Sequence, residues 1–365
     1  MTEARSDKAR WMTEVCQRLE RGTALEFTAA QLAQQIGEVN TLGLTAFLDE
    51  MVDSELATRR DTFLCPVQGC YRPLPLGSSL LECPYCRSDY REEGLHPTPE
   101  AYYRLTGELC RDLRWMIVIH GMNSRAPWQE AFSWEIASRL KQSAPVLIYK
   151  YGWATIEVLL PFAHRRLAKR LGARIRLAIE QAGSAGRNQR PDLIAHSFGT
   201  RLLSLVLEDP TFADLKLGRI ITAGSIIPPN FDWARHLSDG RIEGVLNHVA
   251  GKDGSVPFAE WTTPGSGPGG KLGYTSSAAL NVRNATYGHS DYFDSQNMAE
   301  LIHKNGLWHN FLTRPLQYFS PAETFVVSNA WQKKHWLVML LPRLVLTSIF
   351  LLALPFSALR RVVDP

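Results

Sequence analysis

The sequence predicts an α/β core with a mostly parallel sheet covered by helices on both faces. Three observations predict it. Between Leu113 and about Lys304, short apolar runs alternate with amphipathic stretches, the pattern of strands joined by crossover helices. One of those runs, Leu193–Ala195, leads straight through a small-residue turn at Ser197 into a helical stretch. Charge then sets this region apart from its flanks: residues 1–64 carry 7 basic and 11 acidic groups, 65–330 carry 28 and 24, and 331–365 carry 5 and 1. The near balance of 40 Lys+Arg against 36 Asp+Glu is an average of unlike parts. Hydrophobic residues at 45% and charged residues at 21% exclude a mainly disordered chain, a collagen-like repeat and a polytopic membrane protein. A length of 365 residues implies two or three domains at roughly 100–200 residues each.

The first domain is expected over 1–64. Residues 9–20 have helical periodicity, with Trp11, Val15, Cys16 and Leu19 on one face. A second helix is capped by Thr28 and ends at Gly37, and a third runs over 41–54 with Leu44, Phe47, Leu48 and Met51 inward. A strand at Glu55–Arg59, a turn at Arg60–Asp61 and a strand at Thr62–Leu64 complete the set. Three helices and a two-stranded ribbon resemble a winged-helix domain. That resemblance suggests nucleic acid as a partner, and the charge argues against it. Phosphate contacts need Lys and Arg, whereas the third helix carries Asp49, Glu50 and Asp53 and no basic residue. A protein contact or self-association is the expectation here. The polar first 21 residues hold no apolar core of a secretory signal, so a cytosolic, reducing location is expected for the bulk of the chain.

Four of the 6 cysteines cluster over 65–95, as Cys65-x4-Cys70, twelve residues, then Cys83-Pro-Tyr-Cys86. Two close pairs on a short ribbon place four thiolates tetrahedrally around zinc, so a structural zinc is expected, with no open position for catalysis. The spacing resembles zinc ribbons and rubredoxin-like knuckles. Two disulfides or unpaired core thiols are the competing readings.

The core, over 110–330, is expected to have strands at 115–119, 146–149, 193–195, 220–223, 245–250 and 280–282. Its helices are expected at 128–141, 161–183, 198–208 and 291–303. In Ala195-His196-Ser197-Phe198-Gly199 the serine sits in a strand–turn–helix setting, the context of a nucleophile elbow. Upstream, Trp115–Ile119 ends in His120-Gly121-Met122; downstream, Gly244–Ala250 leads to Asp253, and Asn281–Asn284 leads to His289. The order Ser197, Asp253, His289 and the loop settings resemble the α/β-hydrolase superfamily, serine esterases and lipases included. Ala195 stands where the usual G-x-S-x-G motif has its first glycine. The resemblance implies Ser197 as nucleophile, His289 as general base and then acid, and Asp253 as its orienting partner. It implies an oxyanion hole from the backbone N–H groups of Met122 and Phe198, and no cofactor for catalysis.

Competing residues are assigned elsewhere. Asp291 and Asp294 are expected to cap or face the last helix, His248 to be a core histidine, and His196 to support the nucleophile's position. His236, His303 and His309 lack a strand-end setting, and Ser255 is a turn residue. Gly265-Ser-Gly-Pro-Gly-Gly270-Lys271 nearly spells a P-loop but lacks the strand, the Ser/Thr and the helix start that phosphate binding needs. A flexible loop at the site's rim is expected instead.

Residues 336–357 are almost wholly apolar and, at about 1.5 Å each, span about 33 Å, enough for a bilayer core. Arg343 costs about 2.5–3.5 kcal/mol on an insertion scale, and the Leu, Ile, Val and Phe residues outweigh it at about −4 to −8 kcal/mol. A membrane-spanning or membrane-anchoring helix is expected, with an interfacial or oligomerisation helix as the alternatives. Together these readings predict a membrane-associated serine hydrolase with a cytoplasmic catalytic domain. Its substrate would be an acyl ester, with lipid favoured by the tail. The competing reading is a non-catalytic regulatory or scaffolding protein that uses the same fold as a binding module.

Overall fold

The computed structural model describes residues 2–18, 24–67, 70, 72, 74, 80–92, 94–106, 115–121, 146–149, 160–184, 189–303, 306–327, 331, 332, 338, 342, 344, 345 and 348. The chain divides into two compact units, Met1–Asp112 with Thr313–Ser320, and Leu113–Leu312 with Pro321–Pro365.

The first unit runs helix α1 (Thr2–Arg18), strand β1 (Ala24–Thr28), helices α2 (Ala29–Ile36) and α3 (Thr41–Asp53), then strands β2 (Thr58–Leu64) and β3 (Thr98–Thr106). Helix α2 starts in a capping box. The Gln31 backbone N–H donates to Thr28 Oγ1 at 3.2 Å, and the Thr28 N–H donates to Gln31 Oε1 at 3.0 Å. It stops at Gly37, whose φ of 68° suits a residue without a Cβ. Trp11, Met12, Val15, Leu32, Leu44, Phe47, Leu48 and Met51 pack with Tyr103, Leu105 and Tyr318 in one core.

The expected turn at Arg60–Asp61 is not present. The chain runs straight through it as β2, paired from Thr58 to Leu64 with β3. Arg60 and Asp61 mimic a turn signal because this stretch is solvent-exposed strand, not because the chain reverses. The true partner arrives only after the cysteine module, so the sheet is antiparallel in the order β1-β3-β2.

The second unit is an α/β structure. Its strands are β4 (Met116–Ile119), β5 (Val146–Tyr149), β6 (Asp192–His196), β7 (Arg219–Ala223), β8 (Gly244–Ala250), β9 (Ala279–Asn284) and β10 (Thr324–Phe325). Among the described residues they form one sheet in the order β10-β9-β8-β7-β6-β4-β5, parallel throughout except for the two-residue β10. Its helices are α4 (Pro161–Ser184), α5 (Phe198–Glu208), α6 (Trp233–Ser238), α7 (Ser255–Thr262), α8 (Gly269–Leu272), α9 (Ser295–Ile302) and α10 (Leu307–Thr313). Strands β4, β6, β7 and β8 are buried at every position, which explains their continuous apolar runs. Strand β4 has β5 on one side and β6 on the other, so the winding direction reverses there. In such sheets the crevice beyond the carboxyl ends of the strands at the reversal is the natural ligand site.

Two expectations in this unit need correction. The last helix is not continuous over 291–303: a single 3-10 turn, Asp291–Phe293, precedes α9, because Asp294 adopts an extended ψ of 140°. The Gly-rich stretch near 265–270 is not a flexible loop. Ser266 through Gly270 are buried and bonded, with the Gly267, Gly269 and Gly270 N–H groups donating to Ile226, Ile227 and Ser225 carbonyls at 2.9, 3.0 and 2.7 Å. A Cβ on Gly267 would lie 2.7 Å from the Pro228 Cα, so these glycines serve close backbone packing.

The helix expected at 128–141 lies outside the described residues, as does most of 336–357. Within that tail Val338, Pro342, Leu344, Val345 and Ser348 are described, all helical. Among the described residues no helix is long and apolar enough to cross a membrane.

Candidate active site

Ser197 stands between β6 and α5, at the point where the sheet reverses its winding. Its φ of 50° and ψ of −125° are unusual for a residue with a side chain and represent local strain held by the surroundings. The Ser197 N–H donates to the Ala223 carbonyl at 3.1 Å, and Thr200 Oγ1 donates to the Ser197 carbonyl at 2.6 Å. The neighbours must be small. A Cβ on Gly121 would sit 2.7 Å from Ser197 Cβ, and one on Gly199 would sit 2.5 Å from the Ile119 carbonyl oxygen. The turn therefore presses α5 against the end of β4.

Two side chains from distant loops form one hydrogen-bond chain with this serine. Ser197 Oγ lies 2.9 Å from His289 Nε2, and His289 Nδ1 lies 2.7 Å from Asp253 Oδ2. Asp253 follows β8 and is buried; its other oxygen, Oδ1, accepts the Ser255 and Val256 N–H groups at 2.8 and 3.0 Å. Burial alone would raise the Asp253 pKa, but the hydrogen bonds from His289 and these two N–H groups outweigh it and hold it below its ordinary value. An ionised Asp253 fixes the tautomer: His289 Nδ1 carries the proton, and Nε2 is left to accept from Ser197.

The loop that carries His289 is held from several sides. His196 Nε2 donates to the His289 carbonyl at 2.9 Å, and the two rings lie 4.9 Å apart. Burial, reinforced by the neighbouring His289, holds the His196 pKa down to about 3, so His196 is a neutral donor and no second base. Asp291 Oδ2 accepts the Gly288 N–H at 2.7 Å, so it shapes the loop rather than capping a helix. Gly224, just past β7 at a φ of 51°, lets the His289 ring approach to 3.0 Å of where its Cβ would be. No motif in the sequence marks Gly224; its position directly after a buried strand is the signal that could.

A cavity of about 640 Å³ opens on Ser197, a size typical of small-molecule sites. Its lining joins Gly121, Ser197, Phe198 and His289 to Ile226, Phe258, Ala259, Thr262 and Thr263. The sequence marks none of the last five: Ile226, Phe258 and Ala259 are indistinguishable there from core, and Thr262 and Thr263 stand in no motif. Phe198 is the first residue of α5, where N–H groups lie outside the helix's own hydrogen-bond ladder. Met122 lies outside the described residues.

Of the competing residues, His236, His248, His303 and His309 do not line this cavity. His248 is a core histidine: Trp308 Nε1 donates to its Nδ1 at 3.1 Å, and burial holds its pKa down to about 3. Ser255 opens α7 and offers its N–H to Asp253. Asp294 stands at the N-cap of α9. No protein-family model matches the chain, and no curated protein matches it.

The cysteines form a second cluster, between β2 and β3. Cys65 Sγ lies 3.8 Å from Cys86 Sγ, Cys70 Sγ lies 3.8 Å from Cys83 Sγ, and all four sulfurs fall within 4.8 Å of one another. A disulfide needs about 2.05 Å, so these are free thiols. Four thiolates at about 2.3 Å from a tetrahedral zinc are about 3.8 Å apart, which the Cys65–Cys86 and Cys70–Cys83 pairs match. The Cys83 N–H donates to the Ser88 carbonyl at 3.0 Å and the Arg87 N–H to the Cys83 carbonyl at 2.9 Å, closing a tight knuckle around the second pair. The four cysteines can hold a metal ion, and they would fill a tetrahedral shell without leaving a position for substrate.

Proposed function

We propose that this protein is a serine hydrolase of the α/β-hydrolase kind that cleaves an acyl ester through an acyl-Ser197 intermediate. The Ser197–His289–Asp253 hydrogen-bond chain, built on a strained strand-to-helix turn, is the observation that carries the reading. In the first step Ser197 Oγ bonds to the ester carbonyl carbon while its proton passes to His289 Nε2. The imidazolium is stabilised by ionised Asp253, and the carbonyl electrons move to an oxyanion that accepts from the N–H of Phe198; the resemblance assigns the second donor to Met122. Collapse breaks the ester C–O bond, and His289 returns the proton to the departing alkoxide. Water then repeats the sequence on the acyl-serine, its proton passing to His289 and then to Ser197 Oγ. The Ile226, Phe258 and Ala259 lining supports an apolar acyl group, and an apolar tail at 336–357 supports membrane association with a cytoplasmic catalytic unit.

The front end is read as a winged-helix-like domain whose wing is extended by a zinc-ribbon-like module. The order of helices and strands in the first unit, with its β1-β3-β2 sheet, supports the first part, and the sulfur spacing supports a structural zinc. Nucleic acid is disfavoured as its partner because the arginines near α3 are already paired. Arg59 bonds Asp49 and Asp61 at 3.0 Å each, and Arg60 lies 3.6 Å from Glu26. A protein contact or self-association fits this balanced surface better.

The test is turnover of p-nitrophenyl esters of graded chain length. Wild type is expected to release p-nitrophenol, and Ser197→Ala to fall to background. No turnover of any chain length by folded wild type would sink the proposal.

A further inference from the structure

Helix α4 buries one face and turns a basic one outward. Ala163, His164, Leu167, Ala168, Leu171, Gly172 and Ile175 are buried. Arg165, Arg166, Lys169, Arg170 and Arg174 are exposed and follow one another at helical spacing, one stripe opposite that core. None of these five makes an ion pair among the described residues, whereas Arg176, off the stripe, is bound to Asp214 at 2.6 Å. The stripe holds no acidic residue before Glu180, and its ends are apolar: Phe162 is 69% exposed and Leu177 is 52% exposed. From Phe162 to Leu177 it spans about 22 Å at 1.5 Å per residue.

The helix begins at the end of the sheet where the site lies. It follows β5 and leads back to β6, so its first turn is at the carboxyl ends of the strands. There His164 packs edge-on against Phe198, the residue after the nucleophile, with ring centroids 5.0 Å apart. Phe258, on the cavity wall, is a further apolar ring left 59% exposed.

We propose that the exposed stripe of α4, from Phe162 through its five cations to Leu177, docks on the anionic surface of a phospholipid bilayer and so brings the Ser197 cavity to membrane-borne acyl esters. The proposal extends the ester-hydrolase reading above and adds a contact independent of the apolar tail. Charge complementarity commits it to an anionic partner. Exposed Phe and Leu in line with the cations select a bilayer interface, where rings and aliphatic chains enter the headgroup layer, over a nucleic-acid backbone, where they have no partner.

The test is flotation of the full chain with vesicles of phosphatidylcholine alone or with about 30% phosphatidylglycerol, at low and high salt. Wild type is expected to prefer the anionic vesicles and to lose the preference at high salt. Each cation near such a surface is worth about fivefold in binding, so combining Arg165→Gln, Arg166→Gln, Lys169→Gln and Arg170→Gln should cut the preference by at least about a hundredfold. Arg165→Lys, Arg166→Lys and Arg170→Lys together should retain it, which separates charge from folding. Equal wild-type binding to both vesicles, or an undiminished preference in the Gln variant, overturns the proposal. So does tighter binding to duplex DNA that the Gln variant loses. Flotation needs no turnover, so a wild type that docks but hydrolyses no soluble ester refutes the hydrolase reading and leaves the docking surface standing.

Discussion

The most constrained residues are those whose neighbours leave no room for a methyl group. Gly199 lies in the first turn of α5, and its Cβ would press on the Ile119 backbone, which cannot rotate away as a side chain could. Gly199→Ala should therefore lower stability by about 1–3 kcal/mol, the usual cost of overpacking, read as a shift in the urea midpoint. An unchanged midpoint would mean that α5 is not pressed against β4. At this scale much of the site was legible in the sequence. Ser197, Asp253 and His289 each follow an apolar strand, and the structure brings them into one hydrogen-bond chain. Gly224 and the Ile226–Phe258 wall were not legible, because apolar and small residues at a cavity look like those of a core. Asp291, expected to cap or face the last helix, does face it, its carbonyl accepting from Asn297 of α9, but its carboxylate holds Gly288 instead of capping.

At the scale of elements, the buried parallel strands were the easiest to read. Burial on both faces forces continuous apolar runs, and each run over 115–282 corresponds to a strand. The three-stranded sheet of the first unit was harder. Strand β2 is mostly exposed and charged, and its partner β3 is separated from it by the whole cysteine module, so no local pattern announces the pairing. The same arrangement makes a prediction. If Cys65, Cys70, Cys83 and Cys86 hold zinc, the metal ties β2 to β3 through the module between them. Purified protein should then carry about one zinc per chain, and Cys83→Ser or chelation should lower the melting temperature of the first unit. Metal-free wild type with an unchanged melting profile would contradict this.

For the molecule as a whole, the even balance of charge conceals unlike parts: paired ions on the first unit, a basic stripe on α4 that makes no ion pair among the described residues, and a basic, apolar tail. The interior of the second unit is equally specific about protons. His196 and His248 are held neutral by burial, with folded pKa values of about 3 against an unfolded value of about 6.5. The unfolded chain then binds more protons between these values. Stability should be full above about pH 6.5 and fall as the pH drops towards 3, by about 1.4 kcal/mol per pH unit for each histidine. Urea midpoints between pH 7.5 and 5 would check this, and a flat series would show that these rings are not buried uncharged. Whether Ser197 is an activated nucleophile is decided by covalent labelling with a fluorophosphonate followed by peptide mass mapping. One stoichiometric adduct is expected, on Ser197, lost in His289→Ala and strongly slowed in Asp253→Asn. Folded wild type that takes up no label, or labels on another residue, would contradict it.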